Sequence, residues 1–202
     1  MPSSPPSIIC FGDSLTAGFR SPTGEDPLAE DAPYGSFLQD RLRERAVVKV
    51  SGVCGERTAD MARRFARDVV AQKPWLTVIL GGTNDLGWHI PAGEIFRNLR
   101  TMYHQASASG IHVVAITVPS IRGDDSYIPG RYELNALIAE CCDKDSFPWV
   151  DLFTATAEPT TGRLAQAYSN DGLHLTLAGY HLLADLLYQQ VFERLLSGRN
   201  GR

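Results

Sequence analysis

Ile8-Ile9-Cys10-Phe11-Gly12-Asp13-Ser14-Leu15-Thr16 is the stretch from which the rest of the chain reads. Four residues of buried-strand character, Ile8 to Phe11, run into Gly12-Asp13, which permits a sharp turn, and Ser14 then opens a short helix. This predicts a strand with Ser14 at its carboxyl end. There the unpaired N–H groups of the first helical turn favour negative charge. Taken alone, an ordinary turn with a serine N-cap accounts for Gly12-Asp13-Ser14, since these are common turn residues.

Working outward, apolar strand-like runs recur at Ala46 to Val50, Leu76 to Leu80, Ile111 to Val118 and Phe147 to Leu152. Helical periodicity falls between them, at Tyr34 to Arg45, Arg57 to Val70, Ala92 to Ser107, Arg131 to Cys142 and Thr176 to Leu196. Leu134, Leu137, Ile138 and Cys141 stripe one helix and Tyr180, Leu183, Leu187 and Val191 another, as core faces do. Alternating strand and helix predicts an α/β fold, a parallel sheet covered on both faces. With 202 residues, 44% apolar and 21% charged, the chain reads as one domain over 1–202, with disordered tails at 1–6 and 197–202.

A serine hydroxyl is a poor nucleophile unless an imidazole takes its proton and a carboxylate orients the imidazole. Asp171-Gly172-Leu173-His174 supplies both groups at a spacing that one tight turn can aim into the same cleft. Thr176 is also a good N-cap for the last helix, and both readings can hold at once. Acyl transfer further needs fixed donors for an oxyanion. Gly55, after the second strand, can present a bare N–H, and Asn84 in Gly81-Gly82-Thr83-Asn84-Asp85 a side-chain amide. Each alone reads as a turn after a strand. Ser14, Gly55 and Asn84 all follow strand ends, the rim where ligands bind in open α/β sheets.

Gly12-Asp13-Ser14-Leu15, Gly55, Gly82-Thr83-Asn84-Asp85 and Asp171-Gly172-Leu173-His174, in this order, resemble the four sequence blocks of the SGNH hydrolase superfamily, the GDSL esterases and lipases. The register of the second block rests on Glu56-Arg57-Thr58, since Gly52 lies three residues before Gly55. The resemblance spans nearly the whole chain. It implies a flavodoxin-like, three-layer α/β/α domain with five strands in the order 2-1-3-4-5. It also implies Ser14 as nucleophile, His174 as general base and Asp171 as its orienting acid. The oxyanion donors would be the Ser14 N–H, Gly55 and Asn84. Such chemistry calls for no metal or organic cofactor, and its partner is a small-molecule ester.

The remaining residues exclude other classes. Cys10, Cys54, Cys141 and Cys142 form no C-x-x-C pair and no zinc-spaced Cys/His cluster, so buried or packed free thiols are expected. His89, His104, His112 and His181 lack a partner at catalytic spacing, and Asp13 and Asp85 read as turn stabilisers within their own loops. A net charge of −4 with scattered basic residues disfavours nucleic acid. The start has neither basic cap nor apolar stretch, and no segment reaches the length of a membrane span, which together predict an intracellular, cytoplasmic location. Oligomeric state is not legible.

For the substrate, Trp88 and Ile90 directly follow the Asn84 loop, with Ile121 behind them, and these three are the expected pocket residues. Short rim loops suit small or soluble esters. Thioesters and O-acetylated sugars would use the same residues. A flavodoxin-like phosphate or flavin binder is the alternative from another class, and it has no use for Asp171 and His174.

Overall fold

The computed structural model describes residues 4–197. Five parallel strands, β1 (Ser7–Gly12), β2 (Val47–Gly52), β3 (Leu76–Leu80), β4 (His112–Ile116) and β5 (Trp149–Val150), form one sheet in the order β2-β1-β3-β4-β5. β1 pairs with β2 from Ser7↔Val47 to Gly12↔Gly52 and with β3 from Ile8↔Leu76 to Gly12↔Leu80. β1 and β3 are buried almost throughout because helices cover both sheet faces. β2 lies at the edge and leaves Val47 and Val50 partly in water.

The crossovers between these parallel strands carry the connecting helices, which lie on two sides of the sheet. α2 (Tyr34–Leu42) packs on α8 (Leu177–Leu187), while α3 (Thr58–Asp68), α5 (Ala92–Ala108) and α6 (Ile128–Asp145) pack in sequence on the other side. Three short helices, α1 (Ser14–Ala17), α4 (Thr83–Gly87) and α7 (Leu152–Thr156), begin just past the ends of β1, β3 and β5. The expected α/β architecture and strand order are those observed.

The departures have identifiable causes. β4 stops at Ile116 rather than Val118 because the Asn135 amide takes over the Val118 main chain, accepting its N–H at 2.8 Å and donating to its carbonyl at 2.9 Å. β5 is two residues long instead of Phe147 to Leu152. Pro148 lacks a donor, and Asp151 accepts the Thr154 N–H at 3.1 Å, starting α7 at once. Pro129 in the first turn lets α6 begin three residues earlier than predicted. The last predicted helix divides into α8, a π-helical turn (Tyr188–Phe192) and α9 (Glu193–Ser197).

Of the expected disordered tails, 1–3 and 198–202 lie outside the described residues. Pro6, by contrast, extends the sheet, its carbonyl accepting the Val47 N–H at 2.9 Å, and Ser197 closes α9. Among the described residues no helix is long and apolar enough to cross a membrane.

Gly12 is where the sheet meets the rim turn. A Cβ there would lie 2.2 Å from the Leu80 carbonyl oxygen and 2.3 Å from Thr16 Oγ1, so only glycine lets β1 pass this close to β3 and α1.

Candidate active site

β1 delivers Ser14 to the rim. Asp13 is the N-cap of α1, its Oδ1 accepting the Leu15 N–H at 3.0 Å. The Ser14 side chain is held against His174, with Oγ 3.2 Å from Nε2. On the other side of the ring, Nδ1 lies 2.8 Å from Asp171 Oδ2. Asp171 Oδ1 accepts the N–H groups of Leu173 at 2.9 Å and His174 at 2.8 Å, so the tight turn forms around the carboxylate itself. Thr176 also caps α8, its Oγ1 accepting the Gly179 N–H at 3.3 Å.

Two residues not singled out in the sequence complete this half of the site. The Ser21 hydroxyl donates to Asp171 Oδ2, and the Phe19 ring packs edge-on against His174 with centroids 4.6 Å apart. Tyr180 of α8 pins the segment by donating to the Phe19 carbonyl at 2.7 Å. Their signal is tertiary, since nothing in Phe19-Arg20-Ser21 points to residue 171. Burial by itself would raise the Asp171 carboxyl. Hydrogen bonds from Ser21, His174 and the two N–H groups outweigh it and hold the carboxyl well below the usual carboxylate range.

Asp13 is in the opposite situation. It is fully buried, its Oδ2 has no hydrogen-bond partner, and burial pushes its carboxyl up to about 7, with the Leu15 N–H offsetting only part of the effect. Between about pH 4, where an aspartate in the unfolded chain ionises, and about 7, the folded chain keeps the proton that the unfolded chain has lost. Stability therefore falls as pH rises through that window. Asp13→Asn is expected to flatten this fall and to be the more stable protein above pH 7, as measured by urea unfolding at pH 5 and pH 8. An unchanged pH slope in the variant would place its source elsewhere.

The two proposed oxyanion segments lie on neighbouring loops. Gly55 has φ +78°, a conformation that favours glycine, in the turn between β2 and α3. Asn84 sits in α4 and donates one Nδ2 hydrogen to the Glu56 carbonyl at 2.9 Å, which ties its loop to that of Gly55 and leaves a second hydrogen. Asp85 departs from the expected role within its own loop. Its carboxylate crosses to the start of α3, accepting the Thr58 N–H at 2.9 Å and the Thr58 hydroxyl at 2.6 Å. The Thr58 N–H is the first of α3 and has no carbonyl within the helix to bond, so a carboxylate there satisfies the donor and complements the helix dipole.

Trp88 is 73% exposed, with the Arg57 guanidinium 5.8 Å from its ring centroid. Ile90 instead packs against the core and lines a cavity of about 190 Å³ with Leu86, His89 and Tyr127. Ile121 is partly buried, its carbonyl accepting the Leu164 N–H at 3.1 Å. Trp88 is thus the most open of the three expected pocket residues.

Cys10, Cys141 and Cys142 are buried free thiols. Cys54 is exposed rather than packed, and partial burial with nearby Asp31 and Asp13 raises its pKa, which disfavours the reactive thiolate. The absence of a Cys/His cluster holds along the sequence but not in space. His104 of α5 meets Cys141 and Asp145 of α6, their ligand atoms all within 4.8 Å of one another. Arg100 and Lys144 line the same groove and balance its acidic charge.

A doubly wound parallel sheet whose rim links a hydroxyl, an imidazole and a carboxylate in series is suited to acyl transfer. Residues 10–182 match the GDSL-like Lipase/Acylhydrolase family, and the chain belongs to that family and is an ester hydrolase. It is 23% identical over 207 aligned positions to the acetylxylan esterase of Geobacillus stearothermophilus, covering 91% of this chain and 93% of that one. The match to the uncharacterized lipoprotein YqeF of Bacillus subtilis is 29% identical over 127 residues, 59% of this chain and about half (51%) of the lipoprotein. The solved lipase/acylhydrolase of Enterococcus faecalis superposes with a TM-score of 0.75 at 28% identity, over 94% of this chain and 96% of that structure.

Proposed function

We propose that the chain is a serine esterase acting on small carboxylic esters, acetyl esters foremost, through an acyl-enzyme on Ser14. The observation that carries this reading is the hydrogen-bond series Ser14 Oγ to His174 Nε2 at 3.2 Å and His174 Nδ1 to Asp171 at 2.8 Å. In the first step Ser14 Oγ bonds to the ester carbonyl carbon while His174 Nε2 takes the hydroxyl proton. The carbonyl electrons move onto oxygen, where the Ser14 N–H, the Gly55 N–H and Asn84 Nδ2 stabilise them. The intermediate collapses, the bond to the alcohol oxygen breaks, and His174 returns the proton to that oxygen. Water repeats the sequence on the acyl-serine, releasing the acid and restoring Ser14. Asp171, held ionised by its hydrogen bonds, keeps the imidazole oriented and stabilises its charged form.

Two observations support a small acyl group. The relative matched over nearly its whole length is named an acetylxylan esterase, and exposed Trp88 offers a flat apolar face beside the Asn84 loop. The test is kcat/KM for p-nitrophenyl acetate, butyrate, octanoate and palmitate, together with acetate release from acetylated xylooligosaccharides. Specificity that falls as the acyl chain lengthens is expected. Specificity that rises with chain length would overturn the small-acyl reading.

A further inference from the structure

α3 carries an arginine that the proposed chemistry does not use. Arg64 is 8% exposed, and each of its five N–H donors has an acceptor. Nε donates to Glu56 Oε2 at 2.7 Å; Nη1 donates to Ser51 Oγ at 2.8 Å and Asp68 Oδ2 at 3.1 Å; Nη2 donates to the carbonyls of Gly12 at 2.8 Å and Ser51 at 3.2 Å. Its guanidinium carbon lies 4.1 Å from the Phe11 ring centroid. A buried charge so fully bonded is costly to assemble, and two carboxylates neutralise it.

Its partners are the segments that bear the proposed oxyanion donors. Gly12 precedes the Asp13-Ser14 turn, so holding the Gly12 carbonyl anchors the strand end from which that turn, and with it the Ser14 N–H, sets out. Glu56 follows Gly55, and the Glu56 carbonyl is the atom that receives the Asn84 amide. Ser51 is the penultimate residue of β2, which ends at Gly52 shortly before the Gly55 turn. A single planar fork therefore holds the end of β1, the end of β2 and the Gly55-Glu56 turn, and through Glu56 reaches Asn84.

We infer that Arg64 is a positioning residue of the oxyanion site, setting the Ser14, Gly55 and Asn84 donors at their mutual spacing from beneath. This rests on the acyl-transfer reading above. The role needs the guanidinium geometry and not the charge alone. A lysine ammonium has three donors on one point and cannot bridge Glu56, Ser51 and Gly12 together. Preorganised donors lose their effect when displaced by a fraction of their hydrogen-bond length, and a 1 Å error costs about 100-fold.

The experiment compares wild type, Arg64→Lys and Ser14→Ala on p-nitrophenyl acetate, with active sites titrated by a fluorophosphonate. Thermal melts and inhibition by an alkyl boronic acid, whose tetrahedral serine adduct places an oxygen in the oxyanion site, accompany the rates. For Arg64→Lys, kcat per titrated site is expected to fall about 10- to 100-fold with KM little changed. Boronate affinity is expected to fall in parallel. A variant with a lower melting temperature but wild-type kcat per titrated site and unchanged boronate affinity would overturn the proposal, because that is what a purely structural arginine gives. If Ser14→Ala retains turnover, it is the acyl-enzyme reading that fails. Should Arg64→Lys not fold, Glu56→Gln carries the test. It keeps the arginine and weakens its charged acceptor beside Gly55, so a several-fold fall in kcat per site sustains the role and an unchanged kcat removes it.

Discussion

Ser14→Ala is expected to lower ester turnover by about 10⁵- to 10⁶-fold, the scale on which a serine hydrolase loses its nucleophile. The Ser14 side chain makes its hydrogen bond to His174 and leaves the α1 cap to Asp13, so the variant is expected to keep its fold and melting temperature. Nucleophile and base work as a unit. His174→Ala is therefore expected to cost nearly as much, and Ser14→Ala combined with His174→Ala little more than either alone. Steady-state assay at high enzyme concentration, with fluorophosphonate labelling lost in Ser14→Ala, checks this. Additive losses in the double variant would mean that the two side chains act in separate steps, and an active Ser14→Ala enzyme would remove the acyl-serine altogether.

Asn84→Ala is expected to cost about 10²- to 10³-fold in kcat, the range found for losing one side-chain donor from an oxyanion site. The substitution also removes the 2.9 Å bond to the Glu56 carbonyl, so part of the loss would come from a looser Gly55 turn. Boronate affinity and kcat should fall together if the amide contacts the tetrahedral oxygen. A loss confined to KM would make Asn84 a ground-state binding residue. Because Asp85 ties the same loop to Thr58 through a separate carboxylate, the fold is expected to survive the change.

The order of strand and helix was legible because burial repeats at short range. Ile8 to Phe11 and Leu76 to Leu80 are apolar runs that only a strand covered on both faces would bury whole, and the structure places β1 and β3 there. The end of β4 moved because a distant side chain, the Asn135 amide, intervened, whereas Pro148 with Asp151 shortened β5 and Pro129 advanced α6 from within their own segments. Ser14, Asp171 and His174 were named from residue type and order, and the fold brings them into one hydrogen-bonded series.

Other features carry no sequence signal. Ser21 beneath Asp171, Phe19 against His174, Asp85 across to Thr58 and Arg64 under Gly12 and Glu56 join segments whose neighbours do not mention one another. The meeting of His104 with Cys141 and Asp145 is of the same kind, since it comes from two helices lying side by side.

By itself the sequence determined the alternation of elements, the rim on which the motifs lie and the residue types available for acyl transfer. Periodicity and turn chemistry act within a few bonds of the backbone. Tertiary structure decided which buried donor meets which acceptor. Those pairings depend on where the parallel crossovers set each loop, and a polar group taken out of water has to find its partner there.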